Sequence, residues 1–495
     1  MEIRKKLLYV LAVFALACAS LITATRHMSQ SVWYDESQTN LIAHQNTAAG
    51  ITRFARTVRE NPPFFFFAVH ESLRFRDDET GLRMPSALFG ALAIFAVFFV
   101  GCEVADDVTG LIAALLFVVT PGAFRYFVDA NCYTLLMLAS AGSTMYLLKA
   151  IRSDSLRDWL LYSLFVVLGL GTHLLFMFHL GAQFVAGVYL RASARPASSH
   201  SYRRLLGVMA VLMAAALAGL FIYVHGGGQV RAIEFGVLAR PEMLVTMAGM
   251  YVGPLAMGGL IALILWCSLQ LLGIVALLWR HRRLFYALAI LVGVPILTIT
   301  LFIRSTLTYV AYRYGLGIFP LACVIAAFSW KAVAQRPAAV RASLGAVILV
   351  YCALGALFIV RADQETFGYQ DWRAASRYLS RFAAPGETVI VTPDFDLLPL
   401  TYYYKAGSVV VGSDDVPAEV AKAIAREPVW LVAGSFTNDN PLISKYTEWR
   451  GIRGEQYIDR LFADIGNRGL RVCQTGRFHR VTVFDVRSQP CPVAP

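Results

Sequence analysis

Residues 7–25 read LLYVLAVFALACASLITAT, an uncharged apolar block that follows the basic residues Arg4, Lys5 and Lys6. A block of close to twenty apolar residues is long enough to cross a bilayer core of about 30 Å as a helix. Similar blocks recur along the chain, and we predict about eleven spanning helices. The predicted spans are 7–25, 83–103, 109–125, 132–149, 158–172, 174–190, 205–224, 257–279, 284–303, 314–330 and 342–360. The sequence therefore predicts a mainly α-helical integral membrane protein.

The composition agrees with a membrane protein. The chain has 495 residues, of which 57% are hydrophobic and 15% are charged, and its mean hydropathy is +0.58. Soluble domains carry about 25% charged residues. The formal net charge of +12 is compatible with nucleic-acid binding, but the basic residues lie in short clusters between apolar blocks, as topology signals do. We therefore expect membrane lipids around the protein and no nucleic-acid partner.

The segment that begins at Pro62-Pro63 decides the predicted topology. It is apolar only to about Phe75 and contains His70, Glu71 and Arg74, so it is short for a span. If it does not cross the membrane, five basic clusters lie on one side, which the positive-inside rule makes cytoplasmic. The clusters are Arg4–Lys6, Lys149 with Arg152 and Arg157, Arg191 with Arg195, Arg203 and Arg204, Arg280 with Arg282 and Arg283, and Lys331 with Arg336 and Arg341. We therefore predict an interfacial or re-entrant helix on the outer surface and a cytoplasmic N-terminus.

This topology divides the chain into two predicted domains. Residues 1–360 form a polytopic transmembrane domain with an external loop at 26–82, and residues 361–495 form an extracytoplasmic domain. Alternating helices and strands in the second domain predict an α/β layer fold. Its predicted elements are a helix from Asp371 through Phe382, strands at Thr388–Val391, Ser408–Val411, Val429–Val432 and Val481–Val486, and helices around 416–425 and 455–466.

Two of the eight cysteines, Cys473 and Cys491, lie in this C-terminal domain. They can form a disulfide if the domain faces an oxidising compartment, and the sequence leaves their pairing open. The other six lie in or beside apolar blocks and are interpreted as small buried packing residues.

Several ionisable residues lie at the outer ends of the predicted spans. They are the acidic pair Asp35-Glu36 in the first external loop, Asp129, His173 and Arg313. Ionisable groups beside spanning helices are costly and tend to mark function. Structural interpretations stay open for three of these positions. The acidic pair suits a solvated turn, Arg313 suits a helix anchor that extends to the interface, and His173 suits a cap of a helix turn.

Taken together, these motifs resemble the GT-C superfamily of lipid-linked-sugar glycosyltransferases. The resemblance is to the aminoarabinose transferase and protein O-mannosyltransferase-like group, which is glycosyltransferase family 39-like. The matching motifs are Asp35-Glu36, Pro62-Pro63, Arg83-Met84-Pro85-Ser86-Ala87, Tyr126 to Tyr133, Thr172-His173, Arg313 to Pro320, Asp371-Trp372-Arg373 and Tyr402 to Gly407. The resemblance covers nearly the whole chain. The sequence departs from the family pattern at Asn131, where the family often has arginine.

The resemblance implies a GT-C type bundle with a polyprenyl-phosphate sugar donor. A monosaccharide would pass to a lipid, glycan or protein acceptor at the outer face of the inner or plasma membrane. Asp35 is then the expected general base, with inversion at the sugar. Arg313, His173 and Tyr314 are expected to bind the donor phosphate. Glu36 and Asp129 would position the acceptor or the sugar.

Further residues are expected to bind a cation or to position the site. No cofactor is certain, although Asp35, Glu36 and Asp129 are candidate ligands of a divalent cation that bridges the phosphate. A positioning role is expected for the two prolines, for Arg83 at the external end of its helix, and for two tyrosines interpreted as interfacial anchors. These residues are Pro62, Pro63, Arg83, Tyr126 and Tyr133.

Three alternatives to this function stay open. A transporter or flippase of lipid-linked sugars would favour charged or broken helices at mid-span, whereas here the ionisable groups cluster at helix ends. A non-enzymatic scaffold of envelope assembly would present its α/β domain to partners and would not need Asp35. An oligosaccharide ligase would use a pyrophosphate-linked donor instead.

Overall fold

The computed structural model describes most of the chain in eleven stretches. They are residues 2–193, 199–225, 259–305, 312–362, 370–392, 394–406, 409–412, 429–434, 463, 465–488 and 491. The chain divides into two compact units. The first unit contains Met1–Met28 and Ile42–Arg361, and the second contains Ser29–Leu41 and Ala362–Pro495.

The first unit is helical. Its α-helices are Glu2–Thr25, Ala48–Val58, Phe64–Phe75, Glu79–Val104, Asp107–Val119, Pro121–Phe124, Tyr133–Ser153, Leu156–Leu170, Phe176–Ala192, Ser199–His225, Gly259–Arg280, Arg282–Ser305, Phe319–Ala327, Ser329–Val333 and Ala338–Arg361. Two 3-10 turns, Arg125–Phe127 and Tyr312–Gly315, are also among the described elements of this unit. One further helix, Tyr34–Ala43, begins in the second unit and ends in the first.

In the described part of the chain, seven helices are long and apolar enough to cross a membrane, or eight if one bent pair is a single span. The protein is therefore a multi-pass membrane protein, as predicted. Helix is present at each of the predicted spans, but four of them are short or bent. The short helices include Leu156–Leu170 and Phe176–Ala192, which have 15 and 17 residues. The bent pair turns by 65° between Val119 and Pro121. The number of about eleven crossings stays a prediction.

Local sequence explains the helix ends and one close helix pair. The Asp78 side chain accepts hydrogen bonds from the backbone N–H groups of Thr80 and Gly81 and so caps helix Glu79–Val104. A Cβ atom built on Gly101 would lie 2.5 Å from Cα of Gly110 in the following helix. Glycine at these positions therefore allows the two helices to approach closely.

Contacts between loops gather basic residues at one end of the first unit. The Lys331 ammonium pairs with the Asp106 carboxylate, and Arg280 Nη1 donates to the carbonyl of Lys331 at 2.9 Å. Arg152 Nη2 lies 3.1 Å from a carboxylate oxygen of Glu103, at the end of helix Glu79–Val104. The loops that the positive-inside rule assigns to one side thus contact one another.

The described residues of the second unit form a mixed sheet of five strands. Its strands are β1 Thr388–Thr392, β2 Val409–Gly412, β3 Val429–Gly434, β4 Arg471–Phe478 and β5 Val481–Arg487. The strand order is β2-β1-β3-β5-β4. β1 is parallel to β2 and β3, whereas β5 is antiparallel to β3 and β4.

Apolar side chains pack on both faces of this sheet. Trp372 and Leu379 of helix Trp372–Phe382 pack against β1 and β3 on one face. Ile465 packs on the opposite face of the sheet. The predicted C-terminal α/β fold is confirmed, although β4 was not predicted. The predicted helix at 416–425 lies outside the described residues, as does most of the one at 455–466.

A disulfide joins Cys473 and Cys491 in this unit, with Cα atoms 5.1 Å apart. It connects β4 to the residues that follow β5. The pairing that the sequence left open is therefore present in the structure.

The boundary of the second unit differs from the predicted domain boundary at one place. Residues 29–41 belong to the external loop 26–82 in the sequence-based division, yet they pack with the C-terminal residues. The Val32 N–H donates to the Tyr403 hydroxyl at 2.7 Å, across 371 positions of sequence. A contact of this separation has no local sequence signature.

Candidate functional site

A tight turn between two helices of the first unit holds the Asp129 motif. The Asn131 N–H donates to the carbonyl of Asp129 at 2.7 Å, and Ser86 Oγ donates to the carbonyl of Asn131 at 3.3 Å. The second bond fixes the turn to helix Glu79–Val104. The side chains of Asp129 and Asn131 are buried. A buried carboxylate beside spanning helices is costly, which points to a functional role.

A guanidinium group lies directly against this turn. Arg59 Nη2 donates to Asn131 Oδ1 at 3.0 Å, and the same oxygen accepts the Cys132 N–H at 3.0 Å. Arg59 is the C-cap of helix Ala48–Val58 and comes just before Asn61-Pro62-Pro63. The motifs found in the sequence did not include Arg59. The available signal was a basic residue beside the Pro-Pro motif in a loop predicted to be external.

His173 lies in the connection between helices Leu156–Leu170 and Phe176–Ala192, outside both. Its Nδ1 accepts the Leu175 N–H at 3.2 Å, and its ring centroid is 6.0 Å from that of Tyr133. Burial lowers the pKa of His173 to about 3, and the positive charges of Arg313 and Arg59 act in the same direction. His173 is therefore neutral near pH 7. Because Nδ1 accepts a hydrogen bond, the ring proton is on Nε2 and can be donated.

Arg313 lies in the 3-10 turn Tyr312–Gly315 and is half-buried. The positive charges of Arg313 and Arg59 both act electrostatically on His173. The structure thus brings together two residues that the sequence predicted, Arg313 and His173, and one that it did not. We call Arg59, His173 and Arg313 the cationic cluster, after the charges of its two arginines. The side chain of Tyr314, predicted to join them, lies outside the described residues.

Two tyrosines support the cluster from inside the protein. The rings of Tyr126 and Tyr133 are in edge-to-face contact with centroids 4.8 Å apart, and both side chains are buried. Buried rings cannot anchor a helix at the membrane surface, so the interpretation as interfacial anchors is wrong. Because Tyr133 also contacts His173, the pair suits the predicted positioning role.

The Pro-Pro segment ends in a helix that docks beside His173. Pro63 immediately precedes helix Phe64–Phe75, and the Phe64 N–H donates to the carbonyl of Gly171 at 2.9 Å. A Cβ atom on Gly171 would lie 2.3 Å from the Phe64 ring, so the contact requires glycine there. The helix has 12 residues, too few to cross a bilayer. This length supports the predicted interfacial or re-entrant helix.

Arg83 connects two spans near the predicted outer surface. It is fully buried within helix Glu79–Val104, and its Nη1 donates to the carbonyl of Met28 at 2.7 Å. Met28 follows the first helix, Glu2–Thr25. A buried cation bound to a backbone carbonyl fixes these two helix ends together, which suits the predicted positioning role.

The acidic pair Asp35-Glu36 belongs to the second unit and occupies the first turn of helix Tyr34–Ala43. Asp35 is 6% exposed and Glu36 is 0% exposed. The acidic pair is therefore buried at the N-terminal end of this helix.

The described residues include Asp35, Glu36 and Asp129. Among all described residues, no three or more His, Cys, Asp or Glu side chains form a group that could hold a metal ion. The cation site on these three acids stays a prediction.

Comparisons with known proteins agree with this architecture. Residues 60–227 match the family model described as dolichyl-phosphate-mannose-protein mannosyltransferase. The chain is also similar to the crystal structure of ArnT from Cupriavidus metallidurans bound to undecaprenyl phosphate. The TM-score is 0.60 at 14% identity, over 97% of both chains. The chain has the GT-C fold.

Two further structures share this GT-C fold. The apo crystal structure of the same ArnT gives a TM-score of 0.59 at 14% identity, over 97% of both chains. The arabinofuranosyltransferase AftD from Mycobacteria gives 0.52 at 14% identity, over 96% of this chain and 40% of that one. No curated protein matches the sequence. The similarity to these structures confirms the predicted GT-C fold. The match of residues 60–227 to a mannosyltransferase family model agrees with the predicted resemblance to lipid-linked-sugar glycosyltransferases.

Proposed function

We propose that this GT-C protein transfers a monosaccharide from a polyprenyl-phosphate donor to a lipid, glycan or protein acceptor at the outer face of the inner or plasma membrane. The observation that carries the proposal is the cationic cluster Arg59, His173 and Arg313. Guanidinium groups bind phosphate oxygens through paired N–H donors. ArnT, which shares the fold, was crystallised with undecaprenyl phosphate.

The cluster suits the departure of a lipid phosphate. A polyprenyl-phosphate sugar is a phosphodiester with one negative charge. When the bond between the sugar carbon and oxygen breaks, its electron pair goes to the phosphate oxygen, and the leaving group gains a second charge near pH 7. Arg59 and Arg313 stabilise that charge, and neutral His173 adds an N–H donor from Nε2. Arg59 can bind Asn131 and phosphate together, since arginine has five N–H donors.

Asp35 takes the role of general base. A hydroxyl group is a weak nucleophile near neutral pH, so a carboxylate within hydrogen-bond reach accepts its proton as the new glycosidic bond forms. A single displacement of this kind inverts the configuration at the sugar carbon. Glu36 and Asp129 position the acceptor or the sugar.

Two observations support an outer location for this chemistry. Helix Tyr133–Ser153 carries Tyr133, beside His173, at one end and Arg152, among the basic loops, at the other. The positive-inside rule then makes the end with the cationic cluster extracytoplasmic. The Cys473–Cys491 disulfide fits a C-terminal unit in an oxidising compartment.

Mass spectrometry of envelope glycolipids and glycoproteins, in cells with and without the gene, tests the proposed function. We expect one class of molecules to lose the mass of a single sugar when the gene is absent. That mass and its carrier would identify the sugar and the acceptor class together. Identical envelopes in both strains would contradict the transferase and favour a scaffold.

A further inference from the structure

Two motifs of the second unit take no part in the chemistry proposed above. They are Asp371-Trp372-Arg373 and Tyr402-Tyr403-Tyr404. Both contact residues 29–34, which lead directly into Asp35. The most direct contact is the hydrogen bond from the Val32 N–H to the Tyr403 hydroxyl oxygen, at 2.7 Å. Because Val32 is fully buried, water cannot easily replace this acceptor.

Arg373 holds the same stretch through its backbone and its side chain. Its N–H donates to Ser31 Oγ at 3.2 Å, and its Nη2 donates to the carbonyl of Gln30 at 3.4 Å. The Arg373 guanidinium also lies 5.4 Å from the centroid of the Tyr403 ring. The two motifs therefore act as one surface, since Arg373 contacts both residues 29–34 and the Tyr403 ring.

A third contact reaches the residue next to Asp35. The Tyr34 ring lies 5.0 Å from the Phe395 ring, centroid to centroid. Gln38 Nε2 donates to the Tyr34 hydroxyl at 2.7 Å, one turn along the same helix. The Ser37 N–H donates to the carbonyl of Trp33 at 2.9 Å and closes the first turn around Asp35. The start of this helix is thus fixed on the side that precedes Asp35.

The elements that make these contacts are anchored in the core of the second unit. Arg373 is on helix Trp372–Phe382, whose first residue, Trp372, is fully buried against the sheet. Tyr403 ends helix Leu397–Tyr403, whose Leu400 is buried in the same cluster. A side chain used in catalysis needs such support, because displacement of a reacting group by about 1 Å can cost roughly a hundred-fold in rate.

We propose that Tyr403 and Arg373 are positioning residues. Through them, the C-terminal unit holds the first turn of helix Tyr34–Ala43, and with it Asp35, in the position required for catalysis. This inference rests on the proposed role of Asp35 as base. The C-terminal unit is then a part of the catalytic apparatus.

The variant Tyr403→Phe tests this proposal in the full-length protein. It keeps the ring beside Arg373 and removes only the oxygen that accepts the Val32 N–H. The matched control is Thr401→Val on the same helix, since among the described residues the Thr401 hydroxyl donates only to the helix carbonyls of Leu397 and Leu398. Hydrogen–deuterium exchange of the peptide that contains Val32 should be about five-fold faster in Tyr403→Phe, the ratio expected for one neutral hydrogen bond, and unchanged in Thr401→Val.

Steady-state transfer supplies the second readout. We expect kcat of Tyr403→Phe to fall about ten-fold with an unchanged KM for the lipid donor, because a displaced base slows the chemical step without changing donor binding. Unchanged exchange, unchanged kcat, or an equal loss in Thr401→Val would each overturn the proposal. A wild-type protein with no transfer activity would instead refute the proposed function, and the exchange result would still decide whether Tyr403 holds the segment.

Discussion

Arg59 Nη2 donates a hydrogen bond to Asn131 Oδ1 over 3.0 Å, although the two residues lie 72 positions apart. Asn131 occupies the position at which the sequence departs from the arginine often found in the resembling family. Arg59 comes from another loop, the one that leads into Pro62-Pro63. It places a positive charge directly beside Asn131.

Removing this charge should weaken the binding of a lipid phosphate. We expect Arg59→Gln to bind undecaprenyl phosphate about ten- to hundred-fold more weakly, the usual effect of losing a charge-assisted hydrogen bond. Titration of the purified protein in nanodiscs measures this. Arg53→Gln, on the exposed face of the preceding helix, is the matched control and should bind normally. Equal affinities for the two variants would exclude Arg59 from the phosphate site.

The pKa of His173 predicts how stability depends on pH. The folded protein holds this pKa at about 3, below the ordinary value of 6.5. Between these values the unfolded chain binds more protons than the folded one, so this contribution to stability is complete above about pH 6.5 and is lost as the pH falls. Between pH 7 and pH 5, Tm should therefore fall less in His173→Gln than in the wild type.

The exposed His281 provides the control for that measurement. His281→Gln should show the same decrease in Tm as the wild type over this pH range. If Tm decreases equally in His173→Gln and in the wild type between pH 7 and pH 5, His173 does not contribute to the acid sensitivity of the fold.

The Cys473–Cys491 disulfide predicts both a stability effect and a labelling pattern. Cytosolic glutathione keeps thiols reduced, so a disulfide in the protein isolated from membranes would agree with an extracytoplasmic C-terminal unit. In the unfolded wild-type protein, we expect neither cysteine to react with a maleimide until a reducing agent is added. In Cys473→Ser, Cys491 should react with the maleimide without reduction. The double serine variant should be less stable by about 2–4 kcal/mol. Immediate labelling of both cysteines in the wild type would oppose this orientation.

Local patterns in the sequence predicted much of the fold. Each long apolar block became helix, because a segment of this length can span a bilayer and its backbone must satisfy its own hydrogen bonds there. The helix start at Asp371 was predictable too, since its side chain accepts the Ala374 N–H as a cap. β4 was missed because Arg471–Phe478 is largely polar, and its turn to β5 places Arg480 at a φ of 56° without the usual glycine or asparagine.

The site was only partly predictable for a related reason. His173 and Arg313 could be found because each is an ionisable residue at a predicted helix end. Arg59 and Tyr403 are positioned by contacts with Asn131 and Val32, which lie 72 and 371 residues away in the sequence. Contacts of that range depend on tertiary packing, and a single sequence carries no periodic signal for them.

In the proposed reaction, Asp35 removes the proton of the acceptor as the sugar is transferred from a lipid phosphate. The most direct measurement compares purified wild-type protein and Asp35→Asn with a labelled lipid-linked sugar and an acceptor identified from the envelope. The amide keeps the size of the side chain but cannot act as a base, so transfer should fall by about a hundred-fold or more, while donor binding and membrane insertion stay intact. Full transfer by Asp35→Asn would contradict the account.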